Sequence, residues 1–110
     1  MKSITLKENK DFRRLYYRGK SDAAPCLVTY VMKSRLGKTR VGITSGKKIG
    51  NAVKRNRARR LIRAAFTEYE DRLNGDYDIV FVARTKTAQV KMQEVQRQME
   101  DQLKKLGVLN

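Results

Sequence analysis

The run "YDIVFVA", Tyr77 to Ala83, is almost continuously apolar and is rich in β-branched and aromatic side chains. Strands that are buried on both faces have this composition, because neither face meets solvent and apolar side chains therefore do not alternate with polar ones. We therefore predict a strand at the centre of a sheet.

Upstream, "CLVTYVMK", Cys26 to Lys33, and "TRVGITS", Thr39 to Ser45, are also rich in β-formers. Gly37 lies between them and can adopt the positive φ of a hairpin turn, so these two strands are predicted to pair antiparallel.

A short helix is predicted ahead of these strands. In "NKDFRRLYYRG", Phe12, Leu15 and Tyr16 recur at i, i+3 and i+4, and this spacing indicates a helix from Asn9 to Arg18. Gly19 follows at once, and we expect it to close the helix in the left-handed region of backbone space.

Two longer amphipathic helices are predicted, from Asn51 to Leu73 and from Thr87 to Leu106, and Gly107 is expected to stop the second. A chain of 110 residues with 40% hydrophobic side chains has the size and composition of one domain with one core. Strands and helices together predict a single α+β domain spanning residues 1–110.

The charge of the chain is strongly positive and unevenly distributed. Lys and Arg number 26 against 11 Asp and Glu, which gives a formal net charge of +15. No acidic residue occurs between Asp22 and Glu68, whereas Lys33 to Arg63 contains twelve basic residues. A concentrated positive field of this kind is typical of a surface that binds nucleic acid.

The centre of this field is "KRNRARRLIRAAF", Lys54 to Phe66. At ~100° per residue the apolar side chains fall on one arc of the helix. The opposite arc is predicted to carry Arg55, Asn56, Arg59, Arg60 and Arg63. A guanidinium group can donate hydrogen bonds to two phosphate oxygens at once, so this row suits an RNA backbone. The alternatives are an ordinary solvated face, which would pair its cations with Glu at i+4, and a membrane-surface helix, which would carry large apolar groups such as Trp.

Aromatic residues form a second group. Phe12 and Tyr16 share a face of the first helix, and Tyr30 shares a strand face with Val28 and Met32. These rings either pack in the core, which composition favours, or form a platform on which unpaired bases stack.

Nothing in the sequence indicates that the protein is catalytic by itself. Histidine is absent, and the one cysteine, Cys26, has no histidine to activate it. Glu68 and Asp71 on a helix surface are more typical of solvating charge than of a metal site, so no intrinsic metal or cofactor is expected. No apolar run has the length of a membrane span or signal peptide, and we expect a cytoplasmic protein with Cys26 as a buried thiol.

The segment "KKIGNAVKRNRARRLIRAAF", Lys47 to Phe66, closely resembles the protein component of bacterial ribonuclease P, and the resemblance extends through "DFRRLYYRG", "RVGIT" and "DIVFVAR". It implies an α-β-β-β-α-β-α order, with a four-stranded sheet packed by helices and a short strand at Lys20 to Asp22. It also implies a ribosomal-protein-like fold with a left-handed β-α-β crossover. At Ser45 and Gly46 the sequence departs from the family pattern, which predicts an early end to the preceding strand.

The resemblance implies two RNA-binding surfaces. The residues that would bind the catalytic RNA subunit are Lys54, Arg55, Asn56, Arg57, Arg59, Arg60 and Arg63. The residues that would line a cleft for the single-stranded 5′ leader of precursor tRNA are Phe12, Tyr16, Val28, Tyr30, Lys47 and Lys48. For Phe12, Tyr16 and Tyr30, the resemblance implies leader binding, whereas composition favours packing in the core.

The function implied is removal of the 5′ leader from precursor tRNA by a ribonucleoprotein endonuclease. RNA and Mg²⁺, bound mainly by the RNA subunit, would perform the hydrolysis, and the protein would take no small-molecule substrate. A structural ribosomal RNA-binding protein would share the size and charge but would not need an aromatic cleft. A protein nuclease would need its own metal or acid–base site, which the sequence does not offer.

Overall fold

A five-stranded mixed sheet with helices on both faces organises the chain in the computed structural model, which describes residues 2–110. The elements in chain order are β1 (Ile4–Thr5), α1 (Asn9–Arg18), β2 (Lys20–Ala23), β3 (Leu27–Lys33), β4 (Arg40–Thr44), α2 (Ala52–Tyr69), β5 (Tyr77–Ala83) and α3 (Met92–Lys105). Short 3-10 turns occupy Lys47–Ile49, Glu70–Arg72 and Thr85–Gln89.

The sheet order is β1-β4-β5-β3-β2, so the prediction of β5 as a central strand is confirmed. The predicted hairpin between β3 and β4 is wrong, because β5 lies between them. β5 pairs antiparallel with β3 and parallel with β4. The almost uninterrupted apolar character of β5 favours this place, where both of its edges and both of its faces are covered.

The number of strands also differs from the predicted four. Ile4 and Thr5 pair in parallel with Arg40 and Val41, which adds β1 at the edge. A two-residue strand shows no alternation and therefore left no pattern in the sequence. After β1 the order α-β-β-β-α-β-α is confirmed. α2 joins the parallel neighbours β4 and β5, and the left-handed sense of this crossover stays a prediction.

The two faces of the sheet pack against different helices. The main core lies between the sheet and the helices α2 and α3, where Leu27 and Val31 of β3 meet Phe66 and Leu103. The other face packs against α1 through a smaller cluster whose buried members are Leu6, Leu15 and Val80. Because strand residues alternate between faces, Val28, Tyr30 and Met32 point to the α1 side.

α1 has the predicted bounds, but Gly19 does not end it in the left-handed region. Its φ is −71°, which any residue can adopt. A Cβ at Gly19 would lie 2.6 Å from the carbonyl oxygen of Leu15 and 3.0 Å from that of Val31. Gly19 is therefore required for the close approach of α1 to β3, and its backbone angles are not the reason.

α3 begins later than predicted, at Met92 and not at Thr87. The Thr87 hydroxyl donates a hydrogen bond to the carbonyl oxygen of Cys26 and accepts one from the backbone N–H of Arg84, so it fixes a 3-10 turn ahead of the helix. Gly107 stops α3 with a φ of +79°, as predicted.

Cys26 is fully buried, as expected. None of the helices in the described part of the chain is long and apolar enough to cross a membrane.

Candidate nucleic-acid interface

The outer surface of α2 carries a row of exposed polar and basic side chains. Asn56, Arg59, Arg60 and Arg63 line one shallow groove together with Val53. The buried residues of α2 lie on the other side of the helix and are Ala58, Ile62, Ala65, Phe66 and Tyr69. Within residues 2–110, Arg59, Arg60 and Arg63 make no ion pair with a carboxylate. We call these three residues the arginine row, and their guanidinium groups are available to phosphates.

Arg55 and Arg57 do not belong to this row. At about 100° per residue, the Arg55 side chain points between those of the buried Ile62 and Phe66, whereas the arginine row lies outside the buried arc. Arg55 is accordingly half-buried, and its predicted position on the exposed arc is wrong. Arg57 is exposed, but its Nε donates a hydrogen bond to the carbonyl oxygen of Ala88 at 3.1 Å, which directs it toward the turn before α3. That either residue binds RNA stays a prediction.

The N-terminus of α2 begins where the sequence predicts. Asn51 caps the helix, and its side-chain oxygen accepts a hydrogen bond of 3.0 Å from the backbone N–H of Lys54. β4 ends at Thr44, which confirms the predicted early stop. The exposed Lys47 and Lys48 lie in the 3-10 turn between these elements, and the buried Ile49 anchors this turn in the core.

The aromatic residues form a cleft between α1 and the sheet. The ring centroids of Tyr16 and Tyr30 lie 4.9 Å apart in an edge-to-face arrangement, and those of Phe12 and Tyr16 lie 6.4 Å apart. Phe12 and Tyr16 border a depression that Thr44 of β4 and Arg13 of α1 complete. We call this depression, with Tyr30, Val28 and Val82 on the adjacent sheet surface, the aromatic cleft.

The sheet register and one glycine shape the aromatic cleft. Val82 of β5 lies opposite both Val28 and Thr44, so these three side chains form one row across the sheet. Gly42 lies beneath Phe12, and a Cβ at this position would come within 2.7 Å of two ring carbons. Only glycine lets the Phe12 ring lie directly on β4, so this residue sets the depth of the cleft wall.

The aromatic residues are partly packed against the core and partly exposed, and stacking of bases on them stays a prediction. Phe12 and Tyr30 are half-buried and pack against Leu6, Leu15 and Val80. Tyr16 is 43% exposed and turns its ring toward solvent. The same cluster therefore stabilises the position of α1 and presents aromatic surface to a ligand.

Positive charge lies beside the aromatic cleft. Lys47, Lys48 and Arg84 line an adjoining depression that includes Val82, which is also part of the cleft floor. Arg13 is exposed on the α1 side. Basic groups therefore flank an aromatic surface, an arrangement that suits single-stranded nucleic acid, whose bases stack while its phosphates meet cations.

A buried ionic network, which the sequence analysis missed, holds α1 against the sheet. Asp78 of β5 is fully buried and accepts two hydrogen bonds from Arg40 of β4, 2.9 Å from Nε and 2.8 Å from Nη2. Arg14 of α1 lies 3.3 Å from a carboxylate oxygen of Asp78 and from one of the buried Asp11. The hydrogen bond that Arg40 donates to Asp78 raises the pKa of the Arg40 guanidinium above its ordinary value. Asp interrupting an otherwise apolar strand is the signal that could have located the network.

Groups that could support chemistry are sparse in the part of the chain described. In residues 2–110 no three side chains of His, Cys, Asp or Glu come together as potential metal ligands. Burial raises the pKa of the Cys26 thiol, and its sulfur lies in the core, away from both surfaces. What the structure offers is exposed cations on α2 and half-exposed aromatic rings beside α1, groups whose chemistry suits phosphates and unpaired bases.

Comparison with known proteins identifies close relatives. The family model for ribonuclease P matches residues 1–107. The ribonuclease P protein component of Clostridium novyi (strain NT) is 38% identical over 111 residues, which cover 99% of this chain and 98% of the relative. The solved RNase P protein of Staphylococcus aureus superposes with a TM-score of 0.86 at 34% identity, covering 99% of this chain and all of that chain. The solved RNase P protein of Thermotoga maritima superposes with a TM-score of 0.77 at 26% identity, covering 88% of this chain and 92% of that chain.

Proposed function

This chain belongs to the ribonuclease P protein family, and from that premise we propose that it is the protein subunit of a ribonucleoprotein endonuclease that removes the 5′ leader of precursor tRNA. The observation that carries the proposal is the presence of two different RNA-compatible surfaces. The arginine row lies on α2, which packs on one face of the sheet, and the aromatic cleft lies beside α1 on the other face. Two surfaces allow the protein to hold a structured RNA and a single strand at once.

The arginine row suits the catalytic RNA subunit. Exposed guanidinium groups without carboxylate partners neutralise phosphates and release counterions, which supplies affinity for a folded RNA without reading its sequence. Asn56, in the same groove, adds an amide that can donate to a phosphate or ribose oxygen. Lys54 is exposed in the first turn of α2, outside this groove.

The aromatic cleft suits the 5′ leader. Unpaired bases of any sequence can stack on Tyr16 and Tyr30, while Lys47 and Lys48 contact the strand's phosphates. The base-paired stems of tRNA offer no free bases to such a cleft. The protein therefore contributes recognition of the leader, and we assign phosphodiester hydrolysis to the RNA subunit with its bound Mg²⁺.

Reconstitution tests this proposal. The purified protein should not cleave precursor tRNA at any Mg²⁺ concentration, and addition of the RNA subunit should give cleavage at the leader junction. The measurement is gel analysis of 5′-labelled precursor tRNA with protein alone, RNA alone and both together. Cleavage by protein alone that disappears when one carboxylate is replaced would contradict the assignment of catalysis to RNA.

Single substitutions in the arginine row should weaken binding of the catalytic RNA without unfolding the protein. Arg59→Ala, Arg60→Ala or Arg63→Ala should each reduce the slope of log K against log salt by about one unit at most, because each removes up to one phosphate contact. The measurement is RNA affinity at several salt concentrations, with melting curves of the free protein.

Arg97→Ala is the matched control for this series. It removes the same charge from an exposed helix surface, but its guanidinium pairs with Glu94 on α3 and so is engaged within the protein. Its salt slope should equal that of the wild type. A row variant that lowers the melting temperature and leaves RNA affinity unchanged would place that arginine in the fold.

A further inference from the structure

A pocket at the opposite end of the sheet from the aromatic cleft has an apolar floor and a basic rim. Val31 of β3 forms the floor with Leu106 and Val108 at the end of α3, and Tyr77 at the start of β5 forms one wall. Val31 and Val108 are buried. The volume is about 370 Å³, which lies in the range of small-ligand sites (~300–1,000 Å³). We call it the end pocket.

Three cations surround the end pocket. Arg18 ends α1, Lys20 begins β2 and Lys33 ends β3, and all three side chains are exposed. In the described part of the chain, none of them forms an ion pair with a carboxylate. They converge because Gly19 brings the end of α1 against β3. Three cations left without carboxylates around one apolar pocket favour an anionic ligand.

The walls of the end pocket are fixed by hydrogen bonds. The side chain of Asn74 donates to the carbonyl oxygen of Gly107 at 2.9 Å and accepts from the Tyr77 hydroxyl. Its backbone N–H donates to the carbonyl oxygen of Val108 at 3.0 Å. The loop before β5 and the chain after α3 are thus tied together without a ligand, which lowers the ordering cost of binding one.

We propose that the end pocket binds a nucleotide, with its base against the Tyr77 ring and its phosphate among Arg18, Lys20 and Lys33. An aromatic ring suits a planar base, and a guanidinium beside two ammonium groups suits a phosphate. Val31 and Lys33 alternate in direction with Val28 and Tyr30 along β3, so the end pocket lies on the α3 side of the sheet and the aromatic cleft on the α1 side. The pocket is therefore separate from the aromatic cleft and goes beyond the leader-binding function.

Titration with uridine 5′-monophosphate, followed by backbone amide NMR shifts, tests the proposal. Saturable shifts are expected at Lys20, Lys33, Tyr77 and Gly107. Uridine without its phosphate should bind about tenfold or more weakly, because it loses the charged hydrogen bonds. Shifts that do not saturate, or that are confined to cleft residues such as Thr44, would overturn the proposal.

A pair of charge-matched variants completes the test. Lys20→Gln with Lys33→Gln should reduce nucleotide affinity by about tenfold or more. Lys7→Gln with Lys38→Gln removes the same charge from exposed positions outside the pocket and should leave the affinity near that of the wild type. Equal losses in the two double variants would show only a general charge effect and overturn the proposal.

The nucleotide can come from two sources, a free mononucleotide or a unit of an RNA strand. Comparing uridine 5′-monophosphate with a uridine trinucleotide that lacks a terminal phosphate separates them. Tighter binding of the monophosphate at the end-pocket amides assigns the site to free nucleotides or phosphorylated RNA ends. Tighter binding of the trinucleotide at the same amides assigns it to an internal unit of an RNA strand.

Discussion

Replacing Asp78 with alanine should destabilise the fold by about 3–5 kcal/mol, because the change leaves Arg40 and Arg14 without the buried carboxylate that they share. The Asp78 side chain is 1% exposed, and Arg40 binds it through two nitrogens, so water cannot replace the lost partner at low cost. The measurement is the free energy of unfolding from urea denaturation.

Asp76→Ala is the control for this prediction. Asp76 is exposed two positions earlier, and its removal changes the net charge by the same amount. Its effect should stay within about 0.5 kcal/mol. Asp78→Asn should fall between the two, since the amide oxygen can still accept one hydrogen bond from Arg40. Equal and small effects of Asp78→Ala and Asp76→Ala would mean that the network contributes nothing to stability.

The network has a functional consequence, because it determines where α1 lies. Asp11 and Arg14 come from α1, whereas Arg40 and Asp78 come from neighbouring strands. The apolar contact between α1 and the sheet is a small cluster compared with the main core. The position of the Phe12 and Tyr16 rings, and hence the width of the aromatic cleft, therefore depends on the network as well as on apolar packing.

The elements that could be predicted from the sequence are those whose signals lie within a short stretch of the chain. α1, β5 and the start of α2 were located within a residue because spacing, apolar runs and an Asn cap are short-range signals. Strand pairing is different, since the pattern of β3 and β4 contains no information on which strand lies beside them. β5 enters between them from a distant part of the chain, and Gly37 does adopt a positive φ of +67°, but in a bend that does not make them neighbours.

The candidate site was predictable to the same degree. The grouping of Phe12, Tyr16 and Tyr30 is confirmed, but their half-buried state arises from the tertiary approach of α1. The exposed face of α2 is confirmed for Arg59 and Arg63, whereas a coarse division of the helix into two arcs misplaced Arg55. RNA contacts by any of these residues stay predictions.

Tyr30→Ala should weaken binding of leader-bearing precursor tRNA to the assembled ribonucleoprotein by roughly 1–3 kcal/mol, the value of one lost base stack. Affinity for mature tRNA should be nearly unchanged, because that RNA has no leader in the aromatic cleft. Tyr30→Phe keeps the ring that packs edge-to-face on Tyr16 and should retain most of the affinity. The measurement is equilibrium binding of both RNAs to wild-type and variant complexes.

Because Tyr30 is also half-buried, a loss of packing must be separated from a loss of stacking. Met32→Ala supplies the control, since Met32 is half-buried on the same face of β3 and packs against the same cluster but lies outside the cleft. A packing defect reduces functional protein for both RNAs equally, whereas a leader contact acts only when a leader is present. Shortening the leader to a single nucleotide should therefore abolish the difference between wild type and Tyr30→Ala. A Tyr30→Ala defect that persists at that length, and that Met32→Ala reproduces, would show that Tyr30 only packs.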